Sequence, residues 1–136
     1  MAHIPPSDIG STNYERVMGH APHVLQSWSM LEDTFFNRST LPKPLLEQVR
    51  RTLAQSHGCE YCQAKGGPPD ISQAEYKTSL AVGLAQVFAS DHKGIDASML
   101  DTMLEHYSRE ELVELIAFMA FMWAGGTFGK VFGIQP

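Results

Sequence analysis

A chain of 136 residues with 43% hydrophobic and 18% charged residues is long and apolar enough to bury one core without a metal or disulfide staple. That sets aside intrinsic disorder and the small stapled scaffolds. Ten Lys and Arg against fifteen Asp and Glu leave a net charge of −5. With no basic run to displace phosphate counterions, no nucleic-acid partner is expected.

Residues 1–10 are polar, hold Pro5 and Pro6, and contain no apolar stretch of the signal-peptide kind, so a cytoplasmic location is expected. The first predicted helix follows Pro22 and repeats Val24, Leu25, Trp28, Leu31 and Phe35 at helical spacing. Residues 37–40 are a polar break. Pro42 then opens a second helix whose apolar face is Leu45, Leu46, Val49 and Leu53, with Gly58 as its stop. Residues 59–65 form a turn or two of helix before Gly66-Gly67-Pro68-Pro69 forbids continuation. Asp70 or Ser72 is expected to cap a fourth helix bearing Leu80, Leu84 and Phe88. After a loop at 91–94, Asp96 or Ser98 caps a fifth, with Leu100, Met103, Leu104 and Tyr107.

Ser108-Arg109-Glu110-Glu111 has the form of a capping box and starts a sixth helix. From Leu112 to Trp123 that helix is apolar on every face, Phe118, Met119, Phe121 and Met122 included. It therefore belongs at the centre of the bundle or in a subunit interface. The uncharged run 115–129 is 15 residues long and contains Gly125 and Gly126. A membrane span needs about 20, so a buried helix and no membrane association are expected. Nothing alternates as a strand or divides the chain. The expected fold class is all-α: a single domain over residues 1–136, a bundle of about six helices.

The only two cysteines form Cys59-Glu60-Tyr61-Cys62. This spacing lets two sulfurs meet across one helical turn, as reversible dithiol–disulfide chemistry requires. A sulfur near the helix N-terminus, Cys59 by this rule, is the favoured thiolate. A zinc site needs about four ligands, and the six histidines offer no pair at matching spacing. An inert structural pair remains an alternative. Glu47 lies on the preceding helix, but periodicity does not carry it past Gly58 to the cysteines.

Glu47, eleven intervening residues and then Cys59-x-x-Cys62 resemble the signature of the alkylhydroperoxidase D/carboxymuconolactone decarboxylase superfamily. The neighbouring Leu41-Pro42, Glu47-x-Val49 and Gly58-Cys59-Glu60-Tyr61-Cys62 are similar too, as are residues 88–92 and 107–115; the resemblance covers roughly 14–134. It implies an alkylhydroperoxidase D-like helical fold, a homo-oligomer, and a thiol-dependent peroxidase with no metal or organic cofactor. Its partners would be a peroxide substrate and a dithiol reductant. Cys62 would be the attacking sulfur and Cys59 the resolving one. Glu47 would share a proton relay with a histidine four residues after the second cysteine, where this chain has Gly66. Tyr61 replaces another common histidine. His57, two residues before Cys59, has the best claim as a substitute base, ahead of His92 and His106. The resemblance also leaves open a lactone decarboxylase, whose branch typically lacks the cysteine pair. A third reading, which the loss of the relay histidine favours, is a catalytically degenerate, oligomeric redox-sensing or binding module.

Overall fold

The computed structural model describes residues 2–136. Its helices are α1 (Asn13–Met18), α2 (Pro22–Arg38), α3 (Lys43–Ser56), α4 (Glu60–Ala64), α5 (Tyr76–Asp91), α6 (Ala97–Leu104) and α7 (Arg109–Phe132). A 3-10 turn, His92–Gly94, follows α5. No strand occurs among the described residues.

Local signals set most helix ends. Pro22 lies in the first turn of α2, where its missing N–H costs nothing. Pro42 is the N-cap of α3. The Asp96 side chain accepts from the Met99 N–H at 2.9 Å and so caps α6. At α7 the capping box is complete: Ser108 accepts from the Glu111 N–H and Glu111 from the Ser108 N–H. Gly133, at φ +63°, ends α7.

Two local expectations are corrected. Helix α5 starts at Tyr76, and neither Asp70 nor Ser72 caps it. Asp70 instead accepts from the Ser72 N–H and hydroxyl, closing a turn of its own. A short side chain that can satisfy nearby backbone competes with helix nucleation. The N-terminal segment contributes an additional short helix, α1, capped by the Thr12 hydroxyl accepting from the Glu15 N–H. It brings the described α-helices to seven.

The core lies where α3, α5 and α7 meet. Leu45, Leu46, Val49 and Leu53 of α3, Ala81 and Ala85 of α5, and Leu115, Phe118 and Met119 of α7 are 0–2% exposed. Each such large side chain contributes roughly 1.5–3 kcal/mol of hydrophobic stabilisation. Ala81 and Ala85 belong to this core, and α5 packs along α3. By length and composition α7 could cross a membrane; here its middle is filled on several sides by the bundle. Phe118 meets the edges of Phe35 and Phe36, and Phe121 packs on Trp28 and Phe35. Phe121 is therefore interior. The short α4 packs on α3 and α7, which brings the cysteines against the C-terminal half of α7.

Candidate active site

The turn His57-Gly58-Cys59 builds the site. Helix α3 ends at Ser56, and Gly58 takes φ +75°, a left-handed conformation that glycine adopts without strain. The chain reverses there, and Cys59 becomes the N-cap of α4, with its Sγ accepting from the Cys62 N–H at 3.3 Å. In the same turn the Cys59 N–H donates to His57 Nδ1 at 3.4 Å. Both cysteines are free thiols. Cys59 is 1% exposed, whereas Cys62 is only half-buried. The N-cap position expected for Cys59 thus goes with burial, and Cys62 is the sulfur a solute can reach.

Helix α7 admits this turn because it lacks side chains at the points of approach. A Cβ on Gly126 would lie 1.9 Å from His57 Nε2, and one on Gly129 would lie 2.5 Å from Cys59 Sγ. The His57 ring also meets Trp123 edge-on, with centroids 5.2 Å apart. Close approach of side chain to backbone is what these two glycines provide.

Cys62 opens onto a cavity of about 260 Å³. Trp28, Phe36, Phe121 and Met122 supply apolar wall; His57, Arg50, Lys65, Glu32 and Tyr14 add polar groups. The stripe at 118–123 thus divides, with Phe121 and Met122 lining the cavity and Phe118 and Met119 in the core. Tyr14 of α1 is a site residue that sequence reasoning missed. Its hydroxyl donates to the Gly125 carbonyl at 2.8 Å, and its ring stacks on Tyr61 with centroids 5.5 Å apart. Burial and the nearby sulfurs push its phenol above the ordinary range. No local signal joins it to residues so far along the chain.

Burial raises the Cys62 thiol pKa well above its ordinary value, and the neighbouring Cys59 sulfur raises it further. Lys65 and Arg50 oppose that without reversing it. Cys62 therefore rests protonated at neutral pH. Burial lowers the His57 pKa, so its imidazole is neutral there.

Glu47 sits elsewhere. Arg50 Nη2 and Nε donate to its two carboxylate oxygens at 2.7 and 2.9 Å, and Arg51 Nε donates at 3.0 Å. These bonds, led by Arg50, hold the carboxyl below its ordinary value. Its link to the cysteines is indirect: Arg50 Nη1 donates to the Cys62 carbonyl at 3.3 Å. Gly66, at the position where the resemblance expects a histidine, lies against this cluster. A Cβ there would stand 2.8 Å from Arg50 Nη2, 2.9 Å from Arg51 Nε and 3.1 Å from Glu47 Oε1. The left-handed residue of that loop is Gly67, at φ +61°. Two guanidinium groups and the Glu47 carboxylate thus crowd the space beside Gly66.

Of the four expected site residues, Cys62 and His57 line the cavity, Cys59 lies behind Cys62, and Glu47 is turned into an ion-pair cluster. His92 packs at a tilt on Phe88 and His106 meets Tyr76 edge-on, away from the cavity lining. Among the described residues no cluster of three His, Cys, Asp or Glu is assembled to hold a metal ion. No protein-family model matches the sequence, and no curated protein does.

Proposed function

We propose that this chain is a dithiol oxidoreductase, a thiol-dependent peroxidase of the alkylhydroperoxidase D-like kind. The observation that carries the reading is the unequal exposure of a cysteine pair at CxxC spacing. Cys62 opens onto a partly apolar cavity, and Cys59 is buried with its sulfur on the Cys62 N–H. In the proposed first step the Cys62 sulfur attacks the O–O bond of a hydroperoxide. The S–O bond forms, the O–O bond breaks, and the thiol proton ends on the departing oxygen, giving Cys62 sulfenic acid and an alcohol. Cys59 sulfur then displaces water from the sulfenic acid to make the disulfide. A partner dithiol restores both thiols by exchange and is itself oxidised.

The raised thiol pKa of Cys62 and the ion-paired Glu47 make this a slow peroxidase, since little thiolate is present at neutral pH. The same two observations favour a second reading, a redox-responsive module that keeps the pair without turnover. Cytoplasmic location and self-association belong to the first proposal. The exposed Val24, Met30 and Leu31 of α2, 44–66% accessible, support self-association through that helix rather than through Phe121.

Mass spectrometry after peroxide treatment tests the proposal. The wild type should gain a Cys59–Cys62 disulfide, Cys59→Ser should stop at Cys62 sulfenic acid, and Cys62→Ser should show no oxidation. Peroxide consumption with a dithiol donor should vanish in Cys62→Ser. Unchanged consumption in that variant would remove the peroxidase reading, and a disulfide without turnover would favour the module.

A further inference from the structure

The tautomer of His57 follows from one hydrogen bond. The Cys59 backbone N–H can only donate, so His57 Nδ1, which receives it at 3.4 Å, must present its lone pair. A neutral imidazole with Nδ1 unprotonated carries its hydrogen on Nε2. Turning the ring over would put a carbon against the Cys59 N–H and forfeit the bond. The His57 ring lies over Gly126, and both residues line the same cavity as Cys62. Nε2 makes no hydrogen bond among the described residues, yet it is not buried away from solvent. On a residue of the cavity wall, a donor is therefore left without a protein hydrogen-bond partner.

We propose that His57 serves the cavity as a fixed hydrogen-bond donor, its Nε2–H directed at an oxygen of the bound molecule, and not as the base that takes the Cys62 proton. Applied to a hydroperoxide, the inference rests on the peroxidase reading. The ligand chemistry it names is an acceptor oxygen on a compact apolar body, held between Trp28, Phe36, Phe121 and Met122. In the balanced step above, His57 neither gains nor loses a proton. It orients the peroxide and stabilises the oxygen on which charge develops as the O–O bond breaks.

The test uses the reduced full chain. Nitrogen-15 NMR of the His57 ring at pH 7 should show a protonated Nε2 and a bare Nδ1. Titration with 2-phenyl-2-propanol, an unreactive alcohol, should shift the Nε2 resonance. His57→Phe should weaken that binding about fivefold, the size of one net hydrogen bond. His57→Gln, which keeps an N–H donor, should stay within about threefold of wild type. Single-turnover oxidation of Cys62 by cumene hydroperoxide should follow the same order, with His57→Phe slowed about tenfold or more. An Nδ1–H tautomer, an imidazolium at pH 7, or alcohol binding that His57→Phe leaves unchanged would each overturn the proposal. The tautomer is read on the wild type, so a misfolded variant does not shield it. If the alcohol results hold while cumene hydroperoxide leaves Cys62 reduced, the donor stands and the peroxidase reading falls.

Discussion

At Gly126 and at Gly66 a neighbouring group crowds the space that a Cβ would fill, but the neighbours differ in kind. Gly126 sits under the His57 imidazole, a single neutral ring packed on Trp123 and tied by Nδ1 to the Cys59 N–H. Gly66 sits beside the ends of Arg50 and Arg51, both paired to one carboxylate. The first arrangement leaves one polar group of a cavity-wall residue without a protein hydrogen-bond partner. The second spends its polar groups on one another, which lowers the Glu47 pKa and leaves it little appetite for a proton at neutral pH. Of two groups able to move or share protons, the one lining the cavity is thus not the one the resemblance names.

Alanine at each glycine breaks the comparison most directly. In Gly126→Ala the new methyl meets a ring that its own turn holds in place. Overpacking of roughly 1–3 kcal/mol should exceed the gain of about 1 kcal/mol from replacing a mid-helix glycine, and His57 should be displaced. Gly66→Ala meets the far ends of two long side chains, which can shift more easily than a ring fixed by its turn, and should cost about 1 kcal/mol or less. Urea denaturation of the pair checks the difference; equal losses would mean that the two sites are equally rigid. Gly66→His should not raise peroxide turnover, because Glu47 is already satisfied.

A smaller effect separates the thiol side from its cations. Iodoacetamide should alkylate Cys62 at least about tenfold more slowly at pH 7 than it does a free cysteine, with the rate still climbing above pH 9. The sign follows from burial raising the thiol pKa, with Arg50 and Lys65 opposing it. Arg50→Gln should slow the reaction further. A rate that levels off near pH 8 would show an ordinary thiol.

The smallest effect belongs to Glu47. Its folded pKa lies below the ordinary value of 4.5, so its stabilising contribution is complete above that value. It is lost as the pH falls through the folded pKa. The carboxylate is 35% exposed, and solvent screening limits the contribution to about 1 kcal/mol. Glu47→Gln should therefore lower Tm slightly at pH 7, and the gap to wild type should close in the acid range. Thermal scans at pH 7 and pH 3 measure it; a gap that persists at pH 3 would mean the loss is not one of charge.

Helix starts and the core were legible because their causes are local. Pro22, Pro42, Asp96 and the Ser108/Glu111 box act within one turn of chain, and the apolar positions 45, 46, 49 and 53 repeat at the helical period. The CxxC spacing was equally plain, since three residues of helix bring its two ends together. The partners of that pair were not. Tyr14 reaches Gly125 across 111 positions of sequence, and no periodicity encodes such a meeting. Whether Glu47 serves the thiols or the arginines depends on where two flexible guanidinium groups settle. That in turn depends on the room Gly66 leaves beside them. Sequence alone determined which residues could do chemistry. The packing of α4 between α3 and α7 decided which sulfur is exposed, which histidine lines its cavity and which carboxylate is spent, because burial and hydrogen-bond pairing exist only once the helices have met.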